Sequence, residues 1–309
     1  MASRHAQLQL TGHGQRLVLV PALGGSVAAW QWLDGGAPID LWRPWSGTTD
    51  DPGTMASTAM LPWCNRITDG GFEQDGQVYP IEPNLPGTPY PIHGDGWHQP
   101  WSVESATEHS AVLALQSRQF RGNPHAYDAT HRFALFEGGL EQVLTVTHRG
   151  PVPLPYGLGL HPWFLRSPDA RLQAAVEGVW LCGPDVIPIA HTTDIPPELD
   201  IRAPLSMTGG GIDHLCIDHL YTGWSGQACV HWPAHGLSVL LDAAPITSAQ
   251  GTRPVGYCQV YRPEQGPAFC MEPVSHAVDA FHLPGRPGLV TLAEGDSLSL
   301  SVRWHIQLA

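Results

Sequence analysis

The chain contains no lysine. All fifteen basic residues are arginine, and twenty-eight acidic residues set against them leave a formal charge of −13. Two chemistries fall away at once. A Schiff base needs a lysine amine, and a Walker-type phosphate loop needs the lysine that reaches the terminal phosphates. An acidic chain with scattered arginines also lacks the clustered positive charge that displaces counterions from nucleic acid. Charged residues of both signs make up only 14% of the sequence, against about 25% in an ordinary globular domain. That balance favours a neutral small molecule as ligand.

Other absences narrow the field further. The six cysteines, Cys64, Cys182, Cys216, Cys229, Cys258 and Cys270, form no C-x-x-C pair. A zinc ribbon or a dithiol redox motif is therefore unsupported, and the cysteines read as small buried apolar residues. No G-x-G-x-x-G follows a strand pattern, so a dinucleotide is not indicated. No apolar run approaches the roughly 18 residues of a membrane helix. The segment from Met1 to Leu10 lacks a basic region followed by an apolar one, so no signal peptide is expected and the expected location is the cytoplasm. No shift in composition and no repeat of 20–50 residues breaks the chain, which reads as one domain over 1–309.

What is abundant is glycine, 34 residues, and proline, 30. They punctuate short runs whose apolar period is two. Leu8 and Leu10 alternate with glutamines, the chain turns at Gly12-His13-Gly14, and Arg16 to Val20 runs back. The same pattern joins His131–Phe136 to Leu140–His148, and Ala228–Trp232 to Leu237–Leu241. Tyr257–Tyr261, Ala268–Met271 and Ser297–His305 add further strands. No long stripe of helical period with caps is present. Short strands with regular turns predict an all-β sandwich or barrel. The patches Asp50–Gly53, Pro83–Pro91, Pro184–Pro204 and Gly209–Gly211 are expected to be long loops.

Four segments place polar side chains in tight glycine, proline and aromatic surroundings, where a rigid scaffold can hold functional groups. In Leu61-Pro62-Trp63-Cys64-Asn65-Arg66-Ile67, Arg66 sits among apolar residues. A buried guanidinium needs partners, either a structural carboxylate or the oxygens of a ligand. In His93-Gly94-Asp95-Gly96-Trp97 the glycines permit close backbone approach. Trp97 and Trp101 would supply a stacking wall, although a plain turn fits the segment equally. His161 interrupts the aromatic stretch Gly159-Leu160-His161-Pro162-Trp163-Phe164. Histidine gives and takes protons near neutral pH, yet a satisfied core histidine explains the segment alone. Glu272 follows Phe269-Cys270-Met271, where desolvation would raise a carboxyl toward the range of a working base; a solvent-facing strand end is the alternative.

A tandem echo, Ile212-Asp213-His214-Leu215 and Ile217-Asp218-His219-Leu220, invites a metal reading. Adjacent residues on a strand point to opposite faces, however, and a third ligand pattern is missing. No metal and no cofactor is expected.

In their order and spacing, these segments resemble the aldose 1-epimerase (galactose mutarotase) family. The likeness runs through Gly24-Gly25, Asn65-Arg66-Ile67 with a following Gly71-Phe72, His93-Gly94, His161-Pro162-Trp163-Phe164, Asp218 before Tyr221-Thr222-Gly223, and Glu272-Pro273 with Asp279-Ala280-Phe281. The resemblance implies a large antiparallel β-sandwich of the galactose mutarotase-like kind, with a sugar in an open cleft. It implies Glu272 as general base, His161 as general acid, and Arg66, His93 and Asp218 as sugar-binding residues, with Asp213 as the alternative aspartate. Trp163, where many members carry tyrosine, and Leu165, where an asparagine is frequent, depart from the pattern and bear on substrate choice.

The implied reaction interconverts the α and β forms of a free aldose such as glucose or galactose. One acid and one base on opposite sides of the hemiacetal suffice, each contributing about 10²–10⁴-fold. The expected resting state has Glu272 ionised and His161 protonated. The expected partner is a monosaccharide, with neither nucleic acid nor membrane, and the protein a monomer or homodimer. Two competing readings are a hexose-6-phosphate 1-epimerase, for which Arg118, Arg121 and Arg132 would have to gather near Arg66, and a non-catalytic carbohydrate-binding module using some of the twelve tryptophans.

Overall fold

The computed structural model describes residues 5–33, 36–209 and 215–308. Alternation in the sequence becomes alternation in burial. Along Ala126–Phe136 every second side chain, Tyr127 through Leu135, is buried. That strand pairs antiparallel with Gly139–His148 over ten residues. Leu8–Gly12 and Gln15–Val20 join through His13 and Gly14, both at positive φ (52° and 69°). That backbone twist matches the twist of the two strands it links. Gln227–Trp232 and Leu237–Ala243 close through a single 3₁₀ turn, with Gly236 in the left-handed region.

Two sheets of eleven strands result. The first runs Leu8–Gly12, Gln15–Val20, Ser26–Trp32, Ser57–Met60, Gly159–Leu165, Ala268–Val274, Gly256–Arg262, Ile217–Trp224, Gly178–Cys182, Pro188–Thr192, with Ile39–Asp40 beside Ser26–Trp32. The second has Ser297–Leu308 at its centre, flanked by Leu237–Ala243 and Gly139–His148. One continuous apolar core joins the two sheets. Trp42 stands at its middle, edge-on to Trp30 at 4.9 Å, to Trp304 at 5.1 Å and to Phe164 at 6.3 Å. Trp304 belongs to the second sheet and Phe164 to the first, so these rings fill the layer that a packed pair of sheets encloses. Of the sandwich or barrel that the periodicity left open, the fold is the antiparallel β-sandwich that the family resemblance implied.

One loop expectation needs correction. The stretch 184–204 contains the strand Pro188–Thr192 and a 3₁₀ turn at Pro197–Leu199. The strand lies at the sheet edge, where proline's missing donor costs no ladder bond. Of the glycine patch at 209–211 only Gly209 is described, and Asp213 and His214 lie outside the described residues. No helix among the described residues is long and apolar enough to cross a membrane.

Candidate active site

The site grows from the middle of the first sheet. Gly159–Leu165 and Ala268–Val274 are antiparallel neighbours, and the pairs Gly159 with Val274 and Trp163 with Cys270 set His161 level with Glu272. Side chains level with one another on adjacent strands share a face. His161 Nε2 lies 3.5 Å from Glu272 Oε1. On the next strand Gln259 stands directly opposite Glu272. Its Nε2 donates to Asp218 Oδ1 at 2.5 Å. Four neighbouring central strands thus present His161, Glu272, Gln259 and Asp218 as a row.

Arg66 and His93 arrive from loops that fold over this row. Arg66 Nη2 donates to Asp218 Oδ2 at 3.5 Å, and Nη1 to Asn65 Oδ1 at 3.1 Å. Asn65 and His93 both hold positive φ (55° and 58°), which asparagine and histidine tolerate better than most residues. The two are clamped together. The Asn65 N–H donates to His93 Nδ1 at 3.0 Å, and the His93 N–H to the Asn65 carbonyl at 3.0 Å. A His93 ring that accepts at Nδ1 carries its proton on Nε2 when neutral.

The remaining motif residues hold the loops. The Cys64 N–H donates to His276 Nε2 at 2.8 Å. Asp279 accepts from the Thr68 N–H at 2.9 Å and the Thr68 hydroxyl at 2.8 Å, while its own N–H reaches the Arg66 carbonyl at 3.2 Å. Asp218 and His219 point apart, His219 Nδ1 meeting the Trp180 carbonyl at 3.0 Å.

All five expected residues, His161, Glu272, Arg66, His93 and Asp218, line one cleft of about 360 Å³, within the size range of small-ligand sites. Trp163 stacks beside His161 with ring centres 5.4 Å apart, and the Arg43 guanidinium lies 4.2 Å over the Trp163 ring. Arg43 also donates to the carbonyls of Gly53 and Met55, fixing the Asp51–Gly53 rim. Trp97 lines the cleft, but Trp101 does not. It is buried in the core and donates to the Gly96 carbonyl, so the expected second stacking wall is absent. Gln259, Asn65 and Tyr261 belong to the lining and were not singled out as site residues. For Gln259 and Tyr261 the signal was available, because Tyr257, Gln259 and Tyr261 repeat every second residue, as one strand face requires.

Burial governs the charges. It pushes Glu272 well above the usual carboxyl range, an effect that nearby Asp218 adds to and Arg66 opposes. It pushes His161 down to about 4 and His93 well below its ordinary value, with His161 and Arg66 adding to the latter. Asp218 is raised by burial, against the pull of Arg66 and Gln259. Burial therefore favours the uncharged form of each group, whereas the sequence reading expected a charged pair. The geometric expectation changes as well. The two groups are in contact on one floor and do not face each other across a gap.

The fold is thus a two-sheet sandwich whose first sheet carries a cleft floored by a histidine–carboxyl pair. The sequence profile of aldose 1-epimerases matches residues 6–305, and the chain belongs to that family. It is 30% identical to the uncharacterized protein YphB of Escherichia coli K12, over 94% of this chain and 97% of that one. A crystal structure from the same organism, described as a proposed aldose 1-epimerase, superposes with a TM-score of 0.87 at 25% identity, covering 98% of this chain and 99% of its own. A GalM/aldose epimerase homologue from C. elegans superposes with a TM-score of 0.80 at 16% identity, covering 99% of each chain. That second likeness bears on the fold alone.

Proposed function

We propose that the protein is an aldose 1-epimerase that interconverts the α and β anomers of a free aldose such as galactose or glucose. The observation that carries this reading is the His161–Glu272 contact of 3.5 Å on the cleft floor, ringed by Arg66, His93, Asp218 and Gln259.

The hydroxyl oxygen and the ring oxygen of a hemiacetal share one carbon, so two adjacent proton-transfer groups serve both. Passing a proton from Glu272 to His161 converts the neutral pair into carboxylate and imidazolium without exchange with solvent. The carboxylate takes the proton of the C1 hydroxyl. The imidazolium gives its proton to the ring oxygen as the bond from C1 to that oxygen breaks and the C1 carbonyl forms. Ring opening thus returns the pair to the neutral state that burial favours. Rotation about C1–C2 turns the other carbonyl face to the ring hydroxyl. Closure runs the same transfers backwards. Arg66 and His93 Nε2–H offer donors, and Asp218 an acceptor, for the remaining hydroxyls.

The phosphate reading finds no observation in its favour. Arg118 pairs with Asp128, Arg132 with Glu141, and Arg121 lies against Phe120. Arg66 is the one arginine among the residues lining the cleft, against the carboxyl groups of Asp51, Asp218 and Glu272.

Polarimetry of freshly dissolved α-D-galactose and α-D-glucose tests the reading. Wild-type protein should speed the decay of rotation, and Glu272→Gln and His161→Asn should each lower kcat by about 10²–10⁴-fold. A folded Glu272→Gln protein that turns over like wild type would overturn the assignment. Unchanged decay alongside measurable sugar binding would instead mark a binding module.

A further inference from the structure

The proposed reaction leaves one residue beside the cleft floor unused. Cys270 precedes Glu272 by two positions on the same strand, so both side chains lie on one face. Its thiol is free and wholly buried. One ligand atom each from His161, Cys270 and Glu272 falls within 4.8 Å of the others, and among the described residues no other histidine, cysteine and carboxylate group gathers this closely. Glu272 is buried to 2% exposure and contacts His161.

We propose that His161, Cys270 and Glu272 form a binding site for a thiophilic divalent cation of the Zn²⁺ class, and that the cation competes with the sugar. The competition rests on the function proposed above; the site itself does not.

The ligand types and spacing support it. Zinc bonds to nitrogen and oxygen of about 2.0–2.2 Å and to sulfur of about 2.3 Å give tetrahedral edges of roughly 3.3–3.6 Å. The His161–Glu272 edge already measures 3.5 Å. The other edges, at most 4.8 Å, close by up to about 1.2–1.5 Å, a movement that side-chain rotation supplies. Three protein ligands leave the fourth position open to the cleft. A thiolate and an imidazole select Zn²⁺ or Co²⁺ over Mg²⁺ and Ca²⁺, which prefer all-oxygen sites. On binding, the Cys270 thiol and the Glu272 carboxyl each release a proton to solvent. Arg66 opposes a cation here, but its charge is engaged by Asp218.

The same geometry makes the cation a reversible inhibitor and not a resident cofactor. A metal-bound histidine ordinarily donates its second N–H to an acceptor, and lack of that partner costs roughly 10–100-fold in affinity. The buried His161 Nδ1 has no such partner among the described residues. The cation would also occupy the lone pairs that the acid–base pair uses, so metal and sugar exclude each other.

Titration of the full-length, chelator-treated protein with Co²⁺ tests the site by absorption, without reference to turnover. The expected result is a near-ultraviolet thiolate-to-cobalt band that saturates at one equivalent and that Zn²⁺ bleaches. Cys270→Ser should abolish the band and weaken cobalt binding at least about 10-fold. Cys216→Ser should leave it, since Cys216 is exposed and outside the cluster. If the serine variant fails to fold, Cys270→Ala takes its place. No band in wild type, or a band indifferent to Cys270, overturns the site. A Cys270-dependent band that saturating galactose suppresses, with Zn²⁺ raising KM and sparing kcat, upholds both site and competition. A Cys270-dependent band unmoved by any aldose that the protein turns over upholds the site and overturns the competition. A protein that turns over no aldose fails the epimerase reading alone.

Discussion

Acidification from pH 7.5 to 5 should cost this protein a large part of its stability. Burial moves four histidines out of their ordinary titration range: it pushes the buried His125 and His131 down to about 3 and the buried His276 to about 4, and it pushes His161, whose side chain keeps 14% exposure at the cleft, to about 4. In the unfolded chain each returns to about 6.5. Between about pH 6.5 and 4 the unfolded chain therefore binds protons that the folded one refuses, and stability falls as pH falls. At pH 5 each histidine costs about 2 kcal/mol, roughly 8 kcal/mol for the four. Two carboxyls act the other way. Asp95, raised to about 7 by burial against the hydrogen bonds of Tyr127 and Asn123, takes up a proton in the folded state and gives back about 2–3 kcal/mol. Glu272, also raised by burial, has the same sign. From these groups a net loss on the order of 5–6 kcal/mol remains, which Glu272 lessens and His93 adds to, against a usual total of about 5–15. Urea unfolding followed by tryptophan fluorescence at half-unit pH steps measures it. His131 lies away from the cleft against Phe133, at a ring distance of 4.0 Å. His131→Leu should thus flatten the slope by up to about one proton, roughly 1.4 kcal/mol per pH unit. A stability that stays flat or rises down to pH 5 would refute the reasoning.

Three further outcomes follow from the contacts. Arg66→Met removes charged donors from the cleft and should raise KM for the sugar about 10–100-fold, as the loss of about 1.5–3 kcal/mol requires; steady-state polarimetry checks this, and an unchanged KM refutes it. A Cβ on Gly157 would overlap the His276 ring, so Gly157→Ala should cost about 1–3 kcal/mol and weaken the His276 hold on Cys64, read as a lower Tm. Trp42→Ala empties the joint between the sheets and should cost about 3–5 kcal/mol in denaturant unfolding, with m preserved.

The sheet architecture was legible because alternation and turn chemistry agreed over the long strands. In Ala126–Phe136 and Gly139–His148 both local signals and pairing point one way. The strand Pro188–Thr192 was not legible, since its leading proline and its polar residues suit an edge that only the neighbouring strand defines. At the site, His161 and Glu272 were each open to plain structural readings, and the ordered resemblance raised them. Their 3.5 Å contact depends on a strand register between segments over a hundred residues apart, which no local pattern encodes. The direction in which burial moves the pair was not legible for the same reason: desolvation comes from everything packed around a group. Trp101 misled because an aromatic near a glycine turn reads alike whether it meets ligand or core.

The division of the site between sheet and loops has a consequence for how it fails. His161 and Glu272 are mounted on central strands, whose opening requires disruption of the whole sandwich. Arg66 and His93 ride on loops held by the Asn65, His276 and Asp279 contacts. Such segments open at lower free energy than core strands. On the function proposed above, warming should loosen the grip on a sugar before it disturbs the His161–Glu272 pair. Chemistry on that pair would then be as durable as the fold, and affinity only as durable as a few loop hydrogen bonds.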